Sequence, residues 1–507
     1  MEYQPDFKTF KKIIKKEKSY IIYTTLVADL DTPVSAMLRI GENEPYSFLL
    51  ESVEGGEAKG RYSILGLQPD LIWRCYGNNA EINYDPSNSL DKFKTENHKT
   101  LDSIRLLVEN SKIKLPENLP PMASGLVGYL GYDTIKLVEN IPSNNPSKLN
   151  LPDGMFVRPK VMIIFDSVED TMTIITPVYL KNNNINNYEK IYKKSCIIID
   201  NIVNLLKQPI ENKHLKYKKV RKNKKIKSNF KKPEYIEIIN KAKKYIREGD
   251  IFQVVPSQRF ETPFSLPPFN LYRSLRRLNP SPFLYYLNFN NFSVIGSSPE
   301  ILVRVRDNKV TIRPIAGTRP RGDNFNKDNL LAQELLKDEK EISEHRMLLD
   351  LARNDVAKVT KTGSLNVTEK MIIEKYSHVM HIVSNVEGTK LKNIDYLDAL
   401  LSGFPAGTVS GAPKIRAMEI IDELETDKRE IYGGCVGYFS SNGTMDTCIT
   451  LRTAIIKDNT MYVQAGGGIV ADSKPIDEYN ETVNKAKALF TAANDALRLK
   501  IIKFMRL

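Results

Sequence analysis

Two stretches of the chain repeat apolar residues at the spacing of an α-helix. In residues 339–359 and 477–497 the apolar side chains recur at steps of three and four residues. Such steps place them on one face of a helix, which can then pack against a core. A third helix is predicted over residues 234–248, where Gly249 is suited to the position just after a helix end.

Other runs have the short length and the composition of β-strands. They are rich in β-branched and aromatic residues and bounded by turn residues: residues 20–25, 47–52, 161–165, 172–176, 251–255, 437–440, 445–456 and 461–465. The third and fourth runs predict a hairpin, and the last three predict a meander. Because strands and helices alternate irregularly, the sequence predicts an α+β fold with large antiparallel sheets and not a repeated βαβ unit.

The net charge is concentrated in one segment. The 507 residues carry a formal charge of +13, but residues 213–232 hold eleven lysines and arginines and no acid, so the rest carries only +2. A block of like charges repels itself and usually stays extended in solvent. We therefore divide the chain into an N-terminal part (1–207), a basic linker (208–232) and a C-terminal part (233–507). RNA binding by the basic segment is the alternative.

The composition favours a cytoplasmic protein. No apolar run reaches the roughly 20 residues that span a bilayer, and the N-terminus lacks the apolar segment of a secretory signal. The four cysteines form no CxxC pair and give no disulfide framework. A reducing compartment is therefore expected, without a membrane partner.

Four carboxylates share a spacing on two of the predicted helices. Glu341 and Glu344 lie three residues apart on one helix, and Glu478 and Glu481 lie three apart on the other. Residues at this spacing share a helix face, and carboxylate oxygens suit a hard cation such as Mg²⁺. The alternative is a solvated face, because Glu478, Glu481 and Lys485 lie opposite the apolar stripe of their helix.

Two glycine clusters could present backbone N–H groups to an anion. Residues 403–414 contain three glycines and end before a predicted helix at 415–424, whose N-terminus would attract negative charge. The segment Gly466-Gly467-Gly468 follows a predicted strand and could bind a carboxylate. The first cluster lacks the GK[ST] of a phosphate-binding loop, so nucleotide binding is not expected. Turns also need glycine, so neither cluster is specific alone.

Single polar residues give weaker signals. Arg452 lies within a predicted strand, and its guanidinium needs a carboxylate, either from a substrate or from a structural salt bridge. His345, His378 and His381 have no cysteine cluster beside them and do not form a zinc pattern. Cys435 stands in a G-x-C-x-G motif like a nucleophile elbow. A helix should follow such a nucleophile, whereas a meander is predicted here, so Cys435 is expected to be structural.

Several long segments, in order along the chain, match one family. They are residues 48–56, 249–257, 279–283, 296–300, 314–322, 338–345, 350–355, 403–414 and 477–486. In them the chain resembles the chorismate-utilising enzymes, in particular the anthranilate synthase component I family, over nearly all its length outside the basic segment. The resemblance implies large antiparallel sheets that form a sandwich with helices packed outside. It also implies the conversion of chorismate and ammonia to anthranilate and pyruvate, the first committed step of tryptophan biosynthesis.

The resemblance implies roles at the reacting centre. A Mg²⁺ ion that binds the ring carboxylate of chorismate would be held by Glu344 and Glu481, with Glu341 and Glu478 as supporting carboxylates. The catalytic residues would be Glu300, His381 and Thr408. Glu300 would protonate the departing C4 hydroxyl, because hydroxide is a poor leaving group. His381 would assist the elimination of pyruvate, and Thr408 would shape the substrate loop.

The resemblance also implies two sets of binding residues. Chorismate would be bound by Tyr432, Arg452, Gly411, Gly466, Gly467, Gly468 and Lys485. Its two carboxylates need separate cationic or N–H groups. Tryptophan, the expected feedback inhibitor, would be bound by Glu51, Ser52, Pro282, Phe283, Leu284 and Tyr438. For this second set the alternative is a strand end that serves packing alone.

Two positions distinguish the relatives by chemistry. Gln253 stands where isochorismate and salicylate synthases use a lysine base, and a neutral amide cannot deprotonate water. Ala316 stands where aminodeoxychorismate synthase has a nucleophilic lysine, and alanine cannot form that adduct. The resemblance therefore favours the ammonia-using anthranilate synthases. Aminodeoxychorismate synthase component I is the enzymatic alternative, and a nucleic-acid-binding protein is the non-enzymatic one.

A separate subunit is expected to supply the ammonia. A glutaminase needs a cysteine activated by histidine, yet none of the four cysteines has such a context and no histidine follows His381. The resemblance implies a glutamine amidotransferase small subunit as partner, in a heterotetramer of two large and two small subunits.

Overall fold

A computed structural model describes residues 1–54, 58–180, 187–210, 226–376 and 379–499, without the side chains of residues 54, 58 and 59. In these ranges eleven α-helices are found: α1 Phe7–Glu17, α2 Pro33–Ala36, α3 Thr100–Asn110, α4 Tyr188–Leu206, α5 Lys232–Arg247, α6 Pro268–Leu278, α7 Phe325–Leu335, α8 Glu339–Ala357, α9 Tyr396–Gly403, α10 Lys414–Leu424 and α11 Pro475–Ala496.

The same ranges contain 25 strands, of which 21 join in one sheet. The strands are β1 Ser19–Val27, β2 Phe48–Glu51, β3 Val53–Glu54, β4 Ala58–Lys59, β5 Tyr62–Tyr76, β6 Asn79–Asn83, β7 Lys94–Lys99, β8 Gly125–Leu130, β9 Gly154–Asp166, β10 Thr171–Tyr179, β11 Lys227–Ser228, β12 Gln253–Val254, β13 Ser257–Pro263, β14 Phe283–Asn288, β15 Phe292–Ser298, β16 Ile301–Arg306, β17 Lys309–Ile312, β18 Ile315–Pro320, β19 Asn366–Lys375, β20 Val379–Thr389, β21 Gly411–Ala412, β22 Cys435–Ser440, β23 Met445–Ile449, β24 Thr453–Lys457 and β25 Thr460–Gly466. Two short pairs, β3–β4 and β12–β21, lie outside the large sheet.

The large sheet is bent into two layers by its two longest strands. The first half of β5 pairs with β2 and its second half with β6, while β9 pairs first with β8 and then with β10. The register between β5 and β9 shifts between Pro69 and Leu71, and such a bulge lets a strand turn from one layer into another. All pairings in the sheet are antiparallel.

The order of strands follows from these pairings. Layer one runs β11-β13-β25-β24-β15-β14-β2-β5-β9-β10-β1. Layer two runs β7-β6-β5-β9-β8-β22-β23-β16-β17-β20, with β18 and β19 also paired to β20. The N-terminal and C-terminal parts therefore meet inside both layers, at β2–β14 and at β8–β22.

Among the described residues, alternation along the strands builds the three largest of six hydrophobic cores. On β14, Tyr285 and Leu287 pack between the layers, whereas Leu284 and Tyr286 pack on the outer side of layer one. Helices α1, α4, α6 and α11 cover that outer side, and α3, α9 and α10 cover the outer side of layer two. The predicted α+β sandwich of antiparallel sheets with helices outside is confirmed.

The predicted hairpin and the four predicted helices are confirmed, the helix at 415–424 as α10. The other three helices correspond to α5, α8 and α11, and the hairpin corresponds to the pair β9–β10. Helix α8 begins after Asp338, whose carboxylate accepts the N–H groups of Lys340 and Glu341 at 3.1 and 3.3 Å, which is an N-cap. Gly249, just beyond α5, has a φ of +83°, the left-handed conformation that favours glycine there.

One predicted strand is wrong. The run 445–456 is two strands, because β23 pairs with β16 and β22 in layer two while β24 pairs with β15 and β25 in layer one. The chain crosses between the layers at residues 450–452, where Arg452 has a φ of +47°. Arg452 therefore lies in a crossover, and the predicted meander is two hairpins, β22–β23 and β24–β25. The apolar pattern continues on both sides and cannot show the change of layer.

The basic segment lies largely outside the described residues, which omit 211–225. Its last residues are folded: β11 pairs with β13, and Phe230 is buried against Tyr235 of α5. The predicted strand 251–255 is reduced to the two residues of β12, which pairs with β21. Among the described helices, none is long and apolar enough to cross a membrane.

Candidate active site

The candidate site lies where the chain crosses between the two layers. Glu300 sits between β15 of layer one and β16 of layer two, and Arg452 sits in the second crossover, between β23 and β24. The crossovers touch, because the N–H of Ser297 donates to the Arg452 carbonyl at 3.2 Å and the N–H of Ile449 donates to the Glu300 carbonyl at 3.1 Å. The fold thus brings together two residues that are 152 positions apart in the numbering.

Glu300 is a buried acid held by a hydroxyl. Thr408 Oγ1 donates to both carboxylate oxygens, at 3.3 and 3.4 Å, and the N–H of Ile315 also donates to the carboxyl group. Burial nonetheless dominates, because it disfavours the charged form, and it raises the pKa of Glu300 to about 8. The side chain therefore carries a proton at neutral pH and can give it away, as a general acid must.

The loop that carries Thr408 is held by close backbone contacts. Thr408 lies in a 3₁₀ turn at Gly407–Val409, directly before β21. Gly411 has a φ of +142°, and a Cβ there would come within 2.1 Å of the Gln253 carbonyl oxygen. Glycine is needed at this position because β21 passes so close to β12. The predicted glycine-rich loop is thus a short ordered segment that faces Glu300.

Arg452 has no counter-charge among the residues that the structure describes. It makes no hydrogen bond or ion pair through its guanidinium with any of them, and burial lowers its pKa. Uncompensated burial of a guanidinium is costly. The interpretation as a structural salt bridge, left open by the sequence, is therefore not supported in the described ranges, and a ligand carboxylate would fit.

His381 is a neutral imidazole beside Arg452. Burial and the positive charge of Arg452 lower the pKa of His381 to about 4. Its Nδ1 lies 3.0 Å from Thr318 Oγ1 and 3.2 Å from the Gly317 carbonyl oxygen, which can only accept, and a proton on Nδ1 satisfies both contacts. Nε2 is left as the basic nitrogen. The ring of Tyr376 packs edge-on against the imidazole with centroids 5.5 Å apart, and its hydroxyl donates to Glu374 at 2.8 Å.

The four predicted carboxylates influence one another electrostatically. Burial raises the pKa of Glu344, and the negative charges of Glu341 and Glu481 raise it further. Burial likewise raises the pKa of Glu478, with a contribution from Glu481. Glu344 makes no hydrogen bond or ion pair with any described residue. Helices α8 and α11 therefore present their acids to one region, as the sequence predicted for one helix face each.

Other contacts occupy the remaining three carboxylates. Glu341 lies 3.4 Å from Arg319, Glu478 accepts from Ser473 at 2.7 Å, and Glu481 pairs with Lys485 at 2.7 Å. Lys485 and Glu481 are each about half exposed. In the described part of the chain, no three histidines, cysteines or acids are assembled closely enough to hold a metal. Two carboxylates with substrate and water oxygens would still suffice for Mg²⁺.

The Gly466–Gly468 segment is anchored at one end. The hydroxyl of Tyr432 accepts the N–H of Gly466, and Lys485 Nζ donates to the Gly466 carbonyl at 3.0 Å. The N–H of Gly467 donates to the Pro256 carbonyl at 3.2 Å. Two of the three predicted N–H donors are therefore engaged within the protein, and Gly468 is the member left for a ligand.

Gln253 packs beside this segment. Its side chain is buried, and a Cβ on Gly468 would lie 2.5 Å from Gln253 Nε2. Gln253 Oε1 is buried without a hydrogen-bond partner among the described residues. A neutral acceptor oxygen is therefore available inside the site.

The six residues predicted to bind tryptophan line one cavity. Glu51, Ser52, Pro282, Phe283, Leu284 and Tyr438 all border a space of about 1030 Å³ between the two layers. This cavity lies where the two parts of the chain meet, at β2–β14 and next to β8–β22. Glu51 borders the cavity, but its carboxylate is held on the outer side of layer one by α6, where Arg276 donates at 2.7 and 2.8 Å and Tyr272 at 2.5 Å.

Cys435 and His345 are both buried within the fold. Cys435 is buried in β22, a strand follows it, and burial raises the pKa of its thiol to about 12. It is structural, as expected. His345 is a buried residue whose Nε2 lies 2.7 Å from Ser384 Oγ, and His378 lies outside the described residues.

Sequence reasoning missed two residues of the site. The run Asp427-Lys428-Arg429-Glu430 has the composition of a solvated turn, yet Arg429 is fully buried beside Tyr432. Tyr376, which packs on His381, ends a strand and carries no local signal of function. In both cases the contact depends on how the chain turns between the two residues. The apolar periodicity of a helix or strand carries no information on such a turn, so it could not have identified Arg429 or Tyr376.

The comparisons agree with this geometry. A family model described as chorismate binding enzyme matches residues 3–491. The chain is 51% identical over 490 residues to anthranilate synthase component 1 of Cereibacter sphaeroides, covering 97% of each protein. It is similar to the crystal structure of anthranilate synthase component I from Streptococcus pneumoniae TIGR4, with a TM-score of 0.73 and 36% identity over 85% of this chain and 92% of that one.

A more distant structure shares the fold. The menaquinone-specific isochorismate synthase from Escherichia coli has a TM-score of 0.70 at 19% identity, covering 96% of this chain and 98% of that one. At this identity the likeness concerns the fold alone.

Proposed function

Because this chain belongs to the family of chorismate binding enzymes, we propose that it is the large component of an anthranilate synthase, which converts chorismate and ammonia to anthranilate and pyruvate. One observation carries the proposal. A partly buried guanidinium without a counter-charge in the described chain, Arg452, lies beside a neutral imidazole, His381, in the crossover that adjoins the protonated Glu300. This set fits an anionic substrate that must lose a hydroxyl group.

The acid and the base are divided between two side chains. Glu300 holds a proton at neutral pH and delivers it to the departing C4 hydroxyl, which leaves as water. His381 holds its Nδ1 proton on the Gly317 carbonyl, so Nε2 can accept a proton as pyruvate is eliminated. Their pKa values are displaced in opposite directions, Glu300 upward to about 8 and His381 downward to about 4, so both have the required form at pH 7.

The nucleophile is ammonia and neither water nor a side chain. Ala316, buried on β18, has no group that could attack the ring. Gln253 offers only a neutral amide oxygen and cannot deprotonate water. These two residues argue against the isochorismate-forming and aminodeoxychorismate-forming reactions of related enzymes. Arg452 and the Gly468 N–H bind the enolpyruvyl carboxylate, while Tyr432 and Lys485 hold that segment in place.

Glu344 and Glu481 fit a Mg²⁺ site. Both supply the carboxylate oxygens that Mg²⁺ prefers, and Glu344 has no partner in the described ranges that would compete. When bound, the ion would neutralise the ring carboxylate of chorismate. Glu341 and Glu478 support the two ligands from the same helix faces.

A glutamine amidotransferase subunit supplies the ammonia, in an assembly of two large and two small subunits. The four cysteines of this chain are buried, and burial raises the pKa of each thiol, so none is a ready nucleophile. Glutamine should therefore be used only after the partner binds.

Tryptophan binds in the cavity between the layers and inhibits the enzyme. The apolar residues Pro282 and Phe283 offer surface to an indole ring, Leu284 borders the cavity while its side chain packs in the outer core, and Ser52 offers polar groups at the end of β2. Phe283 pairs with Ser298, two residues before Glu300. One strand thus connects the inhibitor cavity with the general acid, which gives a short path for coupling of roughly 1–3 kcal/mol.

The activity assay uses the purified chain. With chorismate, Mg²⁺ and ammonium at mildly alkaline pH, anthranilate fluorescence should rise, and equal amounts of pyruvate should form. Glutamine in place of ammonium should give no product. Isochorismate or 4-amino-4-deoxychorismate as the main product, or turnover with glutamine alone, would contradict the proposal.

The metal assignment has its own test. Glu481→Gln should fold normally and lose nearly all activity, together with Mg²⁺ binding measured by calorimetry in the presence of chorismate. Glu423→Gln, an exposed acid on α10 that bonds Tyr245, is the control and should retain both. Normal turnover by Glu481→Gln at saturating Mg²⁺ would exclude this ligand.

A further inference from the structure

A buried arginine beneath the substrate pocket joins separate parts of the site. Arg429 lies in the turn between α10 and β22 and is 2% exposed. Its Nε and Nη2 donate to the Glu425 carboxylate, at 3.0 and 2.6 Å for the closer contacts. Nη1 donates to the Val409 carbonyl and Nη2 to the Val255 carbonyl, both at 2.6 Å. One guanidinium thus fastens a carboxylate and two main-chain segments.

The two main-chain segments that Arg429 binds contain Thr408 and Gln253, which belong to the candidate site. Val409 follows Thr408, whose hydroxyl holds Glu300. Val255 lies two residues after Gln253, and its N–H donates to the Ser410 carbonyl at 2.9 Å. The bonds from Arg429 therefore fix the turn of Thr408 against the segment of Gln253.

The partner carboxylate extends the same network. Glu425 accepts the N–H of Ser257 at 2.7 Å and its hydroxyl at 2.9 Å. Ser257 follows Pro256, whose carbonyl receives the N–H of Gly467. The network beneath the pocket thereby reaches the glycine segment.

Aromatic contacts connect Arg429 with the carboxylate-binding side. The guanidinium carbon lies 4.7 Å from the ring centre of Tyr132 and 5.6 Å from that of Tyr432. The Tyr432 hydroxyl in turn accepts the N–H of Gly466. Guanidinium groups pack well on aromatic faces, so Arg429 also fixes the position of the Tyr432 ring.

We propose that Arg429 is a positioning residue for the reaction. It holds Thr408 against Glu300 on the leaving-group side, and Tyr432 against Gly466 on the carboxylate side, without touching the substrate itself. The inference rests on the proposed function. A lysine cannot replace it, because an ammonium has three donors at one point, whereas Arg429 uses donors on all three nitrogens in fixed directions.

Arg429→Lys tests the inference, with Arg158→Lys as a matched control. Arg158 is also buried, also bonded to a carboxylate by two nitrogens, that of Asp70 at 2.7 and 3.0 Å, and also packed on a tyrosine, Tyr179 at 4.0 Å. It lies in the N-terminal part, away from the candidate site. Both variants should unfold at a lower temperature than the wild type, since both exchange a buried guanidinium for an ammonium.

Only Arg429→Lys should lose turnover. Its kcat for ammonium-dependent anthranilate formation should fall about 100-fold, the order expected when catalytic groups move by about 1 Å, and KM for chorismate should rise as well. Arg158→Lys should stay within about threefold in both constants, a margin of about 0.7 kcal/mol. Folded Arg429→Lys with kcat within that threefold margin would overturn the inference.

If Arg429→Lys does not fold, a second variant tests whether Arg429 is a positioning residue. Glu425→Gln leaves the guanidinium and its two carbonyl contacts but loosens the carboxylate pair. Its kcat should fall at least threefold below that of Arg158→Lys, and equal values would overturn the inference. Failure of the wild type to form anthranilate would instead refute the proposed function, which is a separate outcome.

Discussion

The reacting centre at the crossovers and the region around the cavity differ in how their charges are compensated, because two charges of the reacting centre have no partner among the described residues. Beside the cavity Glu51 is bonded by Arg276 and Tyr272 of α6, and Arg304 in the cavity wall bonds Asp446 at 2.9 Å. In the site Arg452 and Glu344 have no such partner among the described residues, and Glu300 is held by a hydroxyl and a backbone N–H.

Paired and unpaired charges serve different functions in this protein. A paired buried charge fixes structure, and breaking the pair costs several kcal/mol. An unpaired one disfavours the folded state and is retained where a ligand supplies the counter-charge or where a shifted pKa serves a reaction. The site should therefore lose activity without losing stability when its charges are removed, and the cavity should do the opposite.

The largest effect is expected from Glu300→Gln. The amide keeps the shape and can accept from Thr408 but cannot donate the proton that the leaving hydroxyl needs. The kcat for anthranilate formation should fall roughly 100- to 10,000-fold, while the melting temperature at pH 8 stays equal or rises. Asp153→Asn is the control, because burial also raises the pKa of Asp153, which lies outside the site. A loss of kcat below tenfold would remove Glu300 from the role of general acid.

Arg452→Gln should have the next largest effect. The lost charge-assisted hydrogen bond to the substrate carboxylate is worth about 1.5–3 kcal/mol, so kcat/KM for chorismate should fall roughly 10- to 150-fold. Chemical denaturation should show no loss of stability, because the guanidinium is unpaired in the described chain. Destabilisation by more than about 2 kcal/mol would show that Arg452 has a structural partner and would erase the contrast between the regions.

Glu51→Gln should show the reverse behaviour. It removes the charge that Arg276 pairs with at the seam between β2 and β14 but leaves an amide that can still accept a hydrogen bond, so the free energy of unfolding should fall by about 2 kcal/mol, the range for a hydrogen bond to a charged group. Tryptophan binding, measured by calorimetry, should weaken because Ser52 and Leu284 lie beside that seam. The kcat at saturating chorismate, without tryptophan, should change little. A large loss of kcat with unchanged tryptophan affinity would show that Glu51 serves the reacting centre and not the tryptophan cavity.

The smallest effect is a pH dependence of stability. The pKa of Glu300 is raised to about 8 in the folded chain, so between its usual value and pH 8 the folded state holds a proton that the unfolded state has lost. This group's contribution therefore falls as the pH rises through that window, by up to about 1.4 kcal/mol per unit.

The two histidines with lowered pKa values contribute with the opposite sign, but both are present in the wild type and in Glu300→Gln, so their contributions cancel in the difference between the two proteins. Denaturation curves from pH 6.5 to 8 should thus show wild-type stability falling relative to Glu300→Gln. A constant difference across that range would mean that Glu300 is already ionised.

Local sequence was sufficient for the predicted helices and for the acids on them. The three- and four-residue apolar steps determined α8 and α11, and with them the shared faces of Glu341 with Glu344 and of Glu478 with Glu481, since a helix face depends on spacing alone. The hairpin β9–β10 followed from its strand composition. Family motifs added Glu300, His381 and Thr408, which the structure places around one crossover and its neighbouring loop.

Tertiary structure decided the rest, because those features depend on which layer a strand joins. Only the pairing of β23 with layer two and of β24 with layer one places Arg452 in a crossover, and alternation along 445–456 is the same for both layers. The burial of Arg429 in a run of charged residues depends on Val255 and Val409, 174 and 20 positions away. Spacing within an element is encoded locally, whereas the partner of a buried charge is chosen by chain segments that meet only after folding.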